Sequence, residues 1–214
     1  MGLPTTLLGL GLQLRADADA ARRQHIATLA SRLMKYLLIA ACFLAIIIFA
    51  EASNLVELAL GGSYLPAATG AKALALGLPA VSILGLALAF SVAETKPFTA
   101  IRLNAVALIT FIGGSLLLTP VLGSVGAAIA GTFAMVAAAG LACIEFPLVP
   151  LLRRAHAGRI LSITALSLAC SALPVWNLIP VGLIGIALFP LLLIVMGVVS
   201  REEIARVVAT MAAR

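Results

Sequence analysis

Six stretches of this chain are nearly free of charge for about 18 residues or more: 33–50, 73–93, 103–119, 125–148, 160–176 and 178–199. Runs of that length match a helical crossing of a bilayer whose hydrocarbon core is about 30 Å thick. Apolarity alone does not separate a helix from a buried strand, but lipid offers no hydrogen-bond partner to an open strand edge, which leaves helices. The whole composition agrees. Of 214 residues, 63% are hydrophobic and 10% charged, whereas soluble domains carry about 25% charged residues. The expected fold is therefore all-α, a polytopic membrane helix bundle of about six transmembrane helices.

The basic residues set the orientation, because short cytoplasmic loops carry the excess of Lys and Arg. Arg15, Arg22, Arg23, Arg32 and Lys35 precede or open the first run, Lys96 and Arg102 lie between the second and third, Arg153, Arg154 and Arg159 between the fourth and fifth, and Arg201, Arg206 and Arg214 follow the sixth. Thirteen of the 14 basic residues thus fall on one side, and only Lys72 falls on the other, near Glu51 and Glu57. The net charge of +6 is accounted for by topology, and no nucleic-acid partner is expected. Both the basic amino-terminal segment and the carboxyl terminus are placed in the cytoplasm.

The domain reading follows the same logic. Residues 1–12, with Pro4, read as the end of a truncated preceding helix, 13–32 as a cytoplasmic amphipathic linker lying at the surface, 33–199 as the six-helix lobe, and 200–214 as a cytoplasmic tail helix with Ser200 as N-cap and Glu203 in its first turn. The outer segment 51–72 is expected to hold a short amphipathic helix broken by Gly61 and Gly62. In "LLLTPVLGSVGAAIAG", residues 116–131, Thr119 and Pro120 are expected to end the third helix and Gly123 to Gly126 to begin the fourth, as a tight outer turn. Gly126, Ala127, Ala130 and Gly131 would then let the fourth helix pack closely on its neighbours.

Enzymatic constellations are not found. His25 and His156 lie in basic loops without a Cys or carboxylate at ligand spacing, no serine sits in a nucleophile elbow, and "GLGL" does not follow a strand. Cys42, Cys143 and Cys170 fall inside apolar runs and read as packing residues. The expectation is no enzyme, no metal and no cofactor. Polar groups within spans are the better clue, since an ionisable side chain in hydrocarbon costs a few kcal/mol and usually faces protein or water. Glu145 lies near the cytoplasmic end of the fourth run, where it either snorkels beside Arg153 or Arg154 or contacts substrate. Asn104 shares a helical face with Phe111 and Ser115 while Arg102 points almost oppositely; that face either lines a polar cavity or bonds a neighbouring helix. Arg102 reads as an orientation anchor or as a contact to an anionic headgroup. Trp176, with Asn177 and Pro180, reads as an interfacial anchor at an outer turn. Pro79, Pro147, Pro174 and Pro190, with Gly113 and Gly114, are candidate bending points.

Two stretches carry a family resemblance. "LVELALGGSYLPAATGAKALALGLP" is similar to the outer region of polysaccharide flippases written "fG..y..a...l..l....p", and "ETKPFTAIRLNAVALITFIGGSLLLTPVLGSVGAAIAGTFA" resembles their signature "k......n.....i.n..l.P..G..GAA.A". Gly61, Tyr64, Ala67 and Ala68, then Lys96, Asn104, Pro120, Gly123, Gly126, Ala127, Ala128 and Ala130, keep their order and their places in the topology derived above, and from Pro120 to Ala130 the written spacing is kept as well. The chain thus resembles the carboxyl-terminal half of Wzx-like polysaccharide biosynthesis proteins of the multidrug/oligosaccharidyl-lipid/polysaccharide exporter superfamily.

The resemblance implies one lobe of a two-lobe transporter of the bacterial inner membrane. Such a flippase moves an undecaprenyl-pyrophosphate-linked oligosaccharide or polysaccharide repeat unit across the bilayer by alternating access. The lipid-linked glycan, the bilayer, and an amino-terminal lobe or a second copy are the implied partners. Family members usually carry two lobes and only the second is matched, so no substrate residue is carried over from the family. Two other readings stay open: a lobe of a multidrug and toxin efflux antiporter, which usually shows a central acidic residue that the spans here lack, and a non-transporting membrane scaffold.

Overall fold

The computed structural model describes residues 20–93, 96–146, 148–172, 181–196 and 198, and among these the side chains of 28–92, 96–146, 148–169, 186–196 and 198. The expected helix end at 1–12, the tail helix at 200–214 and the turn around Trp176 lie outside the described residues. Every regular element described is helical. The order is α1 (Ala20–Leu60), a single 3₁₀ turn (Gly62–Tyr64), α2 (Ala67–Ala75), α3 (Leu78–Ala93), α4 (Pro97–Leu122), α5 (Ser124–Glu145), α6 (Leu148–Arg154), α7 (Ala157–Ala172) and α8 (Val181–Val195).

Helix α1 corrects two expectations. Its 41 residues run unbroken through the boundary drawn at residue 32, so from Ala20 onward the linker and the first span are one helix. The same helix runs out to Leu60, so 51–60 is its continuation rather than a separate amphipathic piece. The reason is compositional: no Gly or Pro occurs between residues 20 and 60, and nothing else terminates a helix as readily. The stop comes at Gly61, whose φ of 92° is open to glycine and strained for other residues. At 1.5 Å per residue α1 is about 62 Å long, roughly twice the hydrocarbon thickness.

The second expected span is broken. α2 and α3 together pass as one crossing but are bent by 51° at Leu76–Gly77. The Gly77 amide bonds the Leu74 carbonyl at 2.9 Å, one residue short of the helical partner, so the Ala73 carbonyl is left for another donor. Thr132 of α5 supplies it: its hydroxyl donates to Ala73 O at 2.6 Å and lies 3.3 Å from Ala128 O in its own helix. Other hydroxyls turn back on their own helices, among them Ser31, Ser82, Ser91 and Thr164 at 2.7–2.8 Å. Pro79 is the second residue of α3, where a missing amide hydrogen costs little.

α4 and α5 form a close hairpin. Pro120 lies inside the last turn of α4 instead of ending it, and the helix continues to Leu122. Gly123, at φ 59° and ψ −139°, makes the stop alone, and α5 begins at Ser124. A side chain on Gly126 would collide with the Leu118 carbonyl, and one on Gly114 would meet the Ala130 methyl at 3.0 Å. Gly126, Ala130, Ala134, Ala138 and Ala142 are all buried at a spacing of four on α5, a longer small-residue stripe than the one expected. Such a stripe lets backbones approach closely where lipid supplies no hydrophobic drive for helix association.

α1 is the spine and packs against α2, α3, α6, α7 and α8. On one side Met34 joins Leu84, Leu103, Ala138 and Phe146 in a cluster built with α3, α4 and α5. On the other Leu38, Cys42 and Ile46 pack with Ile160, Ile163, Phe189 and Leu193 of α7 and α8. There the rings of Phe43 and Phe189 stack at 5.9 Å. α1, α4 and α5 each hold a stretch long and apolar enough to cross a membrane, and the bent α2–α3 pair makes a fourth; the segments expected as fifth and sixth spans hold the shorter apolar helices α7 and α8. The outward surface is that of a lipid-facing bundle: Phe98, Ile109, Leu116, Leu117 and Val121 of α4 are all more than 60% exposed.

Candidate functional site

The hairpin register decides where the candidate residues meet. Measured from Gly123, Arg102 lies 21 residues back and Glu145 lies 22 residues forward. The two therefore face each other across the open end of the hairpin. The Arg102 guanidinium reaches the Glu145 carboxylate at 2.9 Å, with the arginine side chain 66% exposed and the glutamate 15%. Glu145 is thus engaged from α4, whereas the snorkelling expectation had placed it beside Arg153 or Arg154, its near neighbours in sequence. Those two arginines are exposed at the end of α6.

Asn104 is exposed, and its side-chain amide donates to Ala100 O of its own helix at 2.9 Å. The buried residue of this turn is Leu103, and at about 100° per residue Arg102 and Asn104 stand on opposite shoulders of the α4–α5 contact. Ser115 lies about 16 Å further along α4, and its hydroxyl is sealed from solvent with no hydrogen-bond partner among the described residues. The four candidates therefore do not converge. Arg102 and Glu145 form a pair, while Asn104 and Ser115 stand apart from it and from each other.

Two features were not foreseen. Lys35, read only as a topology marker, is 9% exposed, with its ammonium 5.6 Å from the centre of the Tyr36 ring. The second is a cavity of about 350 Å³ between α3, α5 and α7. Leu76, Pro79, Ala80 and Ile83 form one wall, starting at the bend between α2 and α3. Val136, Ala139, Gly140 and Cys143 of α5 form the second, and Leu161 of α7 closes the third side. All of these side chains are apolar apart from the Cys143 thiol. Ala80 and Ala139 are buried, while Leu76, Val136, Gly140 and Leu161 are exposed at the mouth. Small residues at 80, 139 and 140 leave the space; the signal in the sequence was the run "AAAG" at 137–140, which packing against α4 does not use up.

Among the described residues, no three His, Cys, Asp or Glu side chains come together as a metal site. Comparison of the chain with protein-family models, with curated proteins and with solved structures finds no match. What the fold defines is a class: an all-α, membrane-embedded bundle of long apolar helices, with one basic end and an apolar side cleft.

Proposed function

We infer that the chain is one lobe of a membrane transporter of the flippase type. In this reading it carries an undecaprenyl-pyrophosphate-linked oligosaccharide or polysaccharide repeat unit from the cytoplasmic to the outer leaflet of a bacterial inner membrane by alternating access. An amino-terminal lobe or a second copy completes the path. The observation that carries the reading is the set Lys96, Asn104, Pro120, Gly123, Gly126, Ala127, Ala128 and Ala130, in the order of the flippase signature and with its spacing from Pro120 onward, which falls on the α4–α5 hairpin. A close small-residue seam and a broken span are parts that a lobe able to slide or rock against a partner would use. The Arg102–Glu145 pair closes the hairpin at the cytoplasmic end, where an anionic pyrophosphate headgroup would enter and could compete for the arginine.

Deletion of the gene tests this. Lipid-linked glycan is expected to accumulate on the inner leaflet and to return to normal when the protein is restored together with its second lobe. Unchanged amounts of inner-leaflet glycan after deletion would rule the flippase reading out.

A further inference from the structure

The cleft between α3, α5 and α7 lies where two parts of the bundle meet. Packing between α5 and α7 is slight, and α1 holds the two sides together. Within a bilayer an apolar gap of about 350 Å³ suits hydrocarbon better than water, which needs polar partners that these walls do not offer. The cleft also runs toward one end of the bundle. Cys143 lies two residues from the end of α5, and Leu161 is the fifth residue of α7, so both lie within about 6 Å of the basic end. Arg153 and Arg154 are exposed there, whereas Arg159 stands about 200° round α7 from Leu161 and faces away from the cleft. The acid nearest in sequence to this end of the cleft, Glu145, is held by Arg102.

We propose that the cleft binds one acyl chain of an anionic phospholipid, whose headgroup rests against Arg153 and Arg154. Charge complementarity selects the anionic headgroup, and the apolar walls select the chain. The lipid fills the seam between the α2–α5 side and the α7–α8 side. This proposal stands independently of the flippase reading, since it concerns a resident lipid and not a transported one.

Gly140 offers a clean perturbation: it lines the cleft, and a Cβ there would meet nothing within 4 Å. Gly140→Leu therefore fills the space without a backbone clash. The full chain, with Cys42→Ala and Cys170→Ala, is labelled with bimane at Cys143 and placed in phosphatidylcholine vesicles containing brominated phosphatidylglycerol or brominated phosphatidylcholine. Half-maximal quenching is expected at about fivefold less brominated phosphatidylglycerol than brominated phosphatidylcholine. Gly140→Leu is expected to abolish that preference. Arg153→Gln with Arg154→Gln, both at exposed positions, is expected to bring the two lipids level with the cleft left intact. Equal quenching by both lipids in the parent would overturn the proposal, as would a preference that survives the two arginine substitutions. Relief of quenching by equimolar undecaprenyl phosphate would overturn it in favour of an isoprenoid occupant.

Discussion

Replacing Thr132 with valine removes a hydroxyl and changes little else in shape, so it isolates the bond that holds the bend between α2 and α3. The Ala73 carbonyl is free because Gly77 bonds Leu74 instead, and Thr132 serves it at 2.6 Å. Losing a hydrogen bond of this kind between membrane helices costs about 0.6 to 2 kcal/mol. An unsatisfied carbonyl shielded from water adds toward the upper end of that range. We expect a loss of about 1–1.5 kcal/mol for Thr132→Val, close to a tenfold shift in the unfolding equilibrium. Thr132→Ser keeps the donor and is expected to stay within about 0.5 kcal/mol of the parent. The assay is reversible denaturation in mixed detergent micelles, followed by helical circular dichroism. A valine variant as stable as the parent, or a serine variant as damaged as valine, would show that the hydroxyl does not hold the bend.

Gly126→Ala places a methyl group against the Leu118 carbonyl and is expected to destabilise the hairpin by about 1–3 kcal/mol, read in the same denaturation assay. Ser115→Ala removes a sealed hydroxyl that has no partner among the described residues and is expected to be neutral or to stabilise by up to about 1 kcal/mol; a clear loss would reveal a partner for that hydroxyl. Arg102→Gln is expected to cost no more than about 1 kcal/mol, because the arginine side of the pair is largely exposed. The exchange of both charges, Arg102→Glu with Glu145→Arg, should recover most of that loss in a double-mutant cycle.

The helices were legible in the sequence because lipid leaves the backbone few choices, and uncharged runs of this length announce them. Their ends were less so. A uniform apolar run hides the fact that 20–60 lacks any terminator, which reads as continuity only once α1 is followed past its charged residues. The bend at Leu76–Gly77 was half visible, since Pro79 was flagged but proline near a helix start does not bend it. What holds the bend is a hydroxyl 59 residues away, and distance of that kind leaves no local trace. The Arg102–Glu145 pair was legible in principle from their nearly equal distances to Gly123, yet sequence neighbourhood pointed to Arg153 and Arg154. Asn104 and Ser115 shared a face on paper, but the packed side of α4 centres on Leu103 and leaves them apart. The cleft left only a faint trace, the small-residue run at 137–140, because missing side-chain volume becomes a gap only when three helices are brought together.

The orientation of the bundle in the membrane decides which leaflet its basic end meets, and cysteine labelling tests it directly. In a background with Cys42, Cys143 and Cys170 replaced by alanine, single cysteines are placed at Ser63 and at His156, both exposed and at opposite ends of the spans. A membrane-impermeant maleimide is expected to label position 63 in intact cells and position 156 only after the inner membrane is opened. Labelling of position 156 in intact cells, or protection of position 63, would contradict a bundle whose basic end faces the cytoplasm.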